Sequence, residues 1–223
     1  MPRPQPQSGP AWRKDDDKRG LPVVAIVLGL IALIAVIALV SSQLSQDDDD
    51  DTTTAGLEQV GPVAVEGAGL PPLPQTGDDP AVGTEAPGLE GRSFDGSAVS
   101  IGADGRPKVV VFLAHWCPHC QAEVPNLVEW FSDNGVPDDV DVYGVATSTT
   151  ETRPNFPPSA WLEREGWDRP TMADSADGTA AQAFGLSAFP FFVGLNSDNQ
   201  VVIRGSGELS SDQWEALLAA VRG

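Results

Sequence analysis

Both cysteines and both histidines of this 223-residue chain lie between His115 and Cys120, inside "AHWCPHCQAEVP" at Ala114 to Pro125. Thiols and imidazoles gathered so closely suit two chemistries. One is metal binding, because His115, Cys117, His119 and Cys120 are ligand types that take copper or zinc. The other is redox exchange between Cys117 and Cys120, whose spacing lets one sulfur reach the other. A purely structural disulfide there would close a loop of very few residues and stabilise little. A two-knuckle zinc site would need a second C-x-x-C, which the sequence does not contain. Adjacent His119 and Cys120 also point apart on a helix, so redox exchange is the favoured reading and a copper- or zinc-binding module the alternative.

The elements around the cysteines favour exchange. "KVVVFLAHW", Lys108 to Trp116, is a continuous apolar run, the pattern of a strand buried on both faces of a sheet. After Cys117, the positions Cys120, Val124, Leu127, Val128 and Phe131 share one helical face, and Gly135 supplies a stop. Pro118 suits the first helical turn, where its missing N–H is not needed, and Pro125 is expected to kink the helix. Cys117 therefore sits at a helix N-terminus, whose unpaired N–H groups and positive dipole end favour a thiolate. Cys120, one turn further in, is expected to be buried. In such an arrangement Cys117 attacks and Cys120 resolves.

Further elements flank this core. "GRSFDGSAVSIG" reads as a hairpin around Asp95-Gly96, and "VDVYGVAT" at Val140 to Thr147 as the next strand. "SAWLEREGW" is a short helix, "TMADS" a short strand, and "GTAAQAFGL" a helix ended by Gly185 and Leu186. "FPFFVGLNSDNQVVIRGSG" gives two strands joined at Asn196 to Asn199. "SSDQWEALLAAVRG" closes the chain as a helix capped by Ser211, with Trp214, Leu217, Leu218 and Val221 on one face. The order predicts an α/β domain over 86–223, with a central mixed sheet and helices on both faces.

Upstream, Leu21 to Val40 contains no charged or strongly polar residue, and twenty residues at about 1.5 Å rise cross a bilayer core of about 30 Å. It reads as a transmembrane helix at 21–40 in preference to a cleaved signal peptide, since signal h-regions are shorter and "ALVSSQ" matches a cleavage site poorly. Arg13, Lys14, Lys18 and Arg19 precede it, and no Lys or Arg follows until Arg92. Residues 1–20 are then a cytoplasmic tail and the remainder is extracytoplasmic, where disulfides persist. Residues 41–85, with "DDDDD" at Asp47 to Asp51 and "GLPPLPQTGDDP", read as an acidic, Pro/Gly-rich disordered linker. Thirteen Lys and Arg against thirty-two Asp and Glu give a net charge of −19, which argues against nucleic acid and against an anionic lipid surface as partners.

"VVVFLAHWCPHCQAEVP" followed by "AFPFFVGLNSDNQVV" resembles the thioredoxin superfamily, and more narrowly the membrane-tethered TlpA/ResA-type thiol–disulfide oxidoreductases of the bacterial cell envelope. The resemblance runs from about Gly83 to Gly223. It implies a thioredoxin-like fold, Cys117 as nucleophile, Cys120 as resolving thiol and Trp116 as aromatic flank. Glu123 matches the glutamate of that group's C-x-x-E-x-P pattern, a carboxylate that would raise a thiol pKa or relay its proton. Pro190 matches the cis-proline beside which substrate backbone pairs, and Phe189 is its bulky neighbour. No cofactor beyond a redox-active Cys117–Cys120 disulfide is implied. The implied partners are cysteine-containing envelope proteins and a membrane or envelope redox partner. Two departures matter. Val111 stands where thioredoxins proper carry a buried Asp. Pro118-His119 between the cysteines resembles the oxidising DsbA-type enzymes, in which such a histidine stabilises the thiolate and makes the disulfide a better oxidant. The stretch 149–170 is a candidate for substrate choice.

Overall fold

The computed structural model describes residues 58–135 and 137–223; the tail, the apolar segment 21–40 and the first part of the expected linker lie outside the described residues. Among the described residues no helix is long and apolar enough to cross a membrane. The strands are β1 (Ala64–Glu66), β2 (Gly88–Arg92), β3 (Ala98–Ile101), β4 (Lys108–Leu113), β5 (Asp141–Ala146), β6 (Thr171–Ala173), β7 (Phe191–Leu195) and β8 (Val201–Ser206). The helices are α1 (Pro118–Asn134), α2 (Pro158–Arg164), α3 (Thr179–Ala183) and α4 (Ser211–Arg222).

All six residues of β4 are buried, as its unbroken apolar run requires of a strand covered on both faces. It lies at the centre of a five-stranded sheet of order β6-β5-β4-β7-β8. β5 and β6 run parallel to it in sequence, while β7 pairs with it antiparallel and β8 with β7 likewise, so the sheet is mixed. Alternate residues of β4 serve opposite faces. Val109, Val111 and Leu113 join a cluster with α1, α2 and α4, while Val110 and Phe112 join one with α3 and with Leu89, Val99 and Ile101 of a separate three-stranded sheet, β1-β2-β3. α4 approaches β7 so closely that a side chain at Gly194 would collide with Leu217 and Val221. α1 runs through Pro125, which is exposed, and stops where Gly135 adopts φ of 74° and donates to the carbonyl of Phe131.

Two expectations need correction. The stretch 58–85, expected within a disordered linker, is part of the packed domain. Ala64–Glu66 pairs with β2, Leu70 and Ala81 are buried, and the N–H groups of Leu70 and Leu73 donate to the carbonyls of Ala183 and Gly185 at 2.7 and 3.0 Å. The segment shows no helical or alternating period because it buries apolar residues singly and satisfies its backbone across long sequence separations. Arg204 adds a side-chain anchor: its buried guanidinium donates to Asp79 at 2.8 Å and to the carbonyls of Pro71 and Phe184, and holds the Asp79 carboxyl below its usual range. Gly185, at φ of 68°, cannot carry a side chain because a Cβ would run into the carbonyl of Pro71. The second correction is the cap of α4. Ser210, not Ser211, is the N-cap: its hydroxyl accepts from the Gln213 N–H while Gln213 Oε1 accepts from the Ser210 N–H, a reciprocal capping box.

Candidate active site

β4 ends at Leu113, and the chain turns through Ala114, His115 and Trp116 so that Cys117 becomes the N-cap of α1, with φ of −79° and ψ of 122°. Its N–H donates to Ala114 O at 3.0 Å, closing the turn, and Pro118 occupies the first helical turn as its fixed φ favours. Both cysteines are free thiols. They differ in environment. Cys117 retains 7% of its surface and its thiol faces the carbonyl of Phe189 at 4.0 Å, whereas Cys120 has none, and its sulfur lies against the Ala114 N–H at 3.5 Å. Burial drives the Cys120 thiol far above the usual cysteine range, with smaller contributions from Cys117 and Glu123 beside it. One sulfur is therefore placed to meet a partner, and the other to react only within the protein.

Glu123, one turn beyond Cys120 on the inner face of α1, is fully buried. Its Oε2 accepts from the Leu209 N–H at 3.1 Å, while Oε1 has no partner. Burial, opposed by that hydrogen bond and aided by the charge of Glu208, raises its pKa from an ordinary 4.5 to about 7. A carboxyl that gains and loses its proton near neutrality, beside a thiol that must do the same, is suited to proton relay. Val111, where a buried carboxylate stands in thioredoxins, is a fully buried valine, and the buried carboxyl beside Cys120 is that of Glu123.

The residues around the cysteines converge from four segments. His119 is exposed, and its Nδ1 lies 2.7 Å from Glu208 Oε1 in the connection between β8 and α4. The same connection donates Leu209 N–H to Glu123 and Gly207 N–H to Pro190 O, so three neighbouring residues touch three parts of the site. Pro190 is buried and follows Phe189 through a cis peptide bond. Phe189 meets Trp116 edge-on at 5.9 Å between centroids, and Trp116 Nε1 donates to Ser148 O at 2.9 Å. Glu208 and Leu209 carry no sequence signal that links them to the cysteines, because the pairing arises only when β8 returns beside β7.

His115 is the residue whose role differs most from a ligand's. It is buried, its Nδ1 is 2.7 Å from Pro154 O, and its Nε2 accepts from the Thr150 N–H at 3.2 Å. The two bonds fix the neutral tautomer with Nδ1–H donating, and burial lowers the pKa accordingly. With both ring nitrogens engaged, His115 is not available to a metal, and among the described residues no group of three or more His, Cys, Asp or Glu side chains is placed to hold one. His115 instead ties the loop 148–157 to the turn before Cys117.

The sequence matches the Redoxin family over residues 81–218. No curated protein matches it. Solved structures with similar folds include the thioredoxin domain of a thiol-disulfide oxidoreductase from Bacteroides vulgatus, with 19% identity and a TM-score of 0.52 over 64% of this chain and 99% of that one. StoA from Bacillus subtilis aligns at 19% identity and a TM-score of 0.51, covering 62% of this chain and 99% of its own. A thiol:disulfide interchange protein of the thioredoxin family from Chlorobium tepidum aligns at 22% and 0.51, covering 62% and 97%. The mixed sheet, the C-x-x-C at the head of α1 and the family match over most of the chain lead to one assignment: this chain belongs to the Redoxin family and is an oxidoreductase with a thioredoxin-like fold.

Proposed function

We propose that the protein is an extracytoplasmic, membrane-anchored thiol–disulfide oxidoreductase of the TlpA/ResA type, exchanging disulfides with cysteines of envelope proteins through Cys117-Pro118-His119-Cys120. The observation that carries this reading is the asymmetry of the two sulfurs, one at a helix N-terminus facing the Phe189 carbonyl and one sealed behind it. With the reduced form, Cys117 Sγ attacks a substrate disulfide, forms a mixed disulfide and releases one substrate thiol. Cys120 then gives up its proton, attacks Cys117 Sγ and releases the second thiol, leaving a Cys117–Cys120 disulfide. The oxidised form runs the same steps backwards on a substrate dithiol. A membrane or envelope redox partner restores the starting state, and no cofactor enters beyond the two cysteines.

Anchoring is supported by the sequence alone: an uncharged run at Leu21 to Val40 with Arg13, Lys14, Lys18 and Arg19 before it. Protease added to intact cells, with any outer barrier opened, should remove the folded domain and spare the N-terminal tail. A mature protein that begins near Ser41 to Gln46 would replace the anchor with a cleaved signal.

The direction of exchange turns on charge near Cys117. His119 places an imidazole in the first turn of α1, held at the surface by Glu208. A histidine between the cysteines stabilises the Cys117 thiolate, and with it the reduced form, which makes the disulfide more oxidising. We expect a potential above thioredoxin's, about −270 mV, and a shift of about 30 mV toward reducing in His119→Pro, measured by equilibration with glutathione. An unchanged or more oxidising variant would remove His119 from the redox balance.

A further inference from the structure

The loop 148–157 is bound to the two residues that precede Cys117. Trp116 Nε1 holds Ser148 O, His115 Nε2 takes the Thr150 N–H, and His115 Nδ1 holds Pro154 O. Asn155 adds a bond from its side-chain amide to His115 O at 3.4 Å, and both Ser148 and Asn155 adopt left-handed backbone, with φ of 53° and 60°. Between the two His115 contacts lies Arg153. Its guanidinium carbon stands 5.0 Å from the centre of the Trp116 ring, which also meets Phe189 edge-on. The side chain is exposed and, among the described residues, makes no ion pair, although Glu151 is two positions away in the same loop. In a chain of net charge −19, this places a cation with no ion-pair partner among the described residues on the aromatic flank of the nucleophile.

We infer that Arg153, stacked on Trp116, is a specificity-determining residue that favours protein substrates with an acidic side chain close in sequence to the reacting cysteine. The inference rests on the exchange activity proposed above. A substrate in mixed disulfide with Cys117 begins beside Phe189, and the two ring separations place the guanidinium at most about 11 Å from the Phe189 ring, roughly three residues of extended chain at about 3.3 Å each. The preferred acidic residue is therefore two to four positions from the cysteine. The His115 bonds on both sides of Arg153 hold the backbone that carries it, and Trp116 stacks against its guanidinium, which lowers the ordering cost of capture.

The test uses short peptides with blocked ends, each carrying one cysteine as a disulfide with a chromogenic thiopyridyl group, and Asp, Ala or Lys three residues from the cysteine. The reduced protein supplies two electrons: Cys117 Sγ attacks the peptide sulfur and expels thiopyridone, then Cys120 Sγ displaces the peptide as its thiol. The readout, taken in a single turnover with the reduced protein in excess, is the ratio of the second-order rate constant of thiopyridone release from the Asp peptide to that from the Lys peptide within each protein, which does not depend on the folded fraction. For the wild type we expect a ratio of about ten at low salt that falls toward one in high salt. Arg153→Gln should bring the ratio near one, and Arg153→Glu should invert it. A loop-stabilising role alone would slow both peptides equally and leave the ratio unchanged, which would overturn the inference while leaving exchange intact. Absence of Cys117-dependent release from all three peptides would overturn the exchange reading itself, and the inference with it.

Discussion

Cys117→Ser reduces turnover to the uncatalysed background in both insulin reduction and oxidative refolding of a reduced protein. Cys120→Ser fails for a different reason. It retains the first attack, because Cys117 is the sulfur with access to a partner, and stalls as a mixed disulfide because the resolving thiol is gone. Rates of thiol release in a single turnover separate the two variants: none from the first, one equivalent from the second. Equal thiol release from both variants in a single turnover would mean that the two sulfurs are interchangeable, which their burial argues against.

The second large effect belongs to Glu123. Its carboxyl is buried beside Cys120, lacks a partner on Oε1 and has its pKa raised to about 7. Cys120 carries a thiol whose proton burial holds tightly, so resolution needs an acceptor for it. Glu123→Gln should slow the resolving step on the order of a hundredfold at neutral pH while changing the first attack much less, and should remove the inflection near pH 7 from the profile of that step. An unchanged resolving rate would make Glu123 a packing residue only. The same substitution has a stability signature. Because folding raises this pKa, the folded state binds the extra proton between pH 4.5 and about 7, so the contribution of Glu123 is fully present below 4.5 and is lost as pH rises through 7. At about 1.4 kcal/mol per pH unit the wild type loses on the order of 3 kcal/mol relative to Glu123→Gln across that window. His115, whose pKa burial lowers, acts in the opposite sense below 6.5, but it is present in both proteins and cancels in the difference. Urea midpoints of the two proteins at pH 5 and pH 8 read this directly.

What could be read from the sequence follows the range of the interactions involved. Cys117 and Cys120 declared themselves because a fully apolar strand, a proline at the first helical turn and a periodic helix are local signals, and each reappears in the fold. The strand and helix order from Lys108 onward was legible for the same reason. The stretch 58–85 was not, since Leu70, Gly83 and Asp79 are held by Ala183, Val201 and Arg204, more than a hundred residues downstream, and leave no period. At the site, His119 announced itself by its place between the cysteines, but its partner Glu208 lies 89 positions away. His115 read as a possible ligand because its neighbours in sequence are thiols. Its neighbours in space are Thr150 and Pro154, and they turn it into a brace for the loop that carries Arg153.

The central claim is that Cys117 carries the covalent intermediate and Cys120 resolves it. Trapping tests this most directly: Cys120→Ser and Cys117→Ser are each expressed in the parent cell, the proteins are isolated under acid quench with thiols alkylated, and disulfide-linked partners are identified by mass spectrometry before and after reduction. The account predicts reducible adducts with envelope proteins on Cys117 of the Cys120→Ser protein and none on the Cys117→Ser protein. Adducts joined through Cys120, or the same yield from both variants, would contradict it.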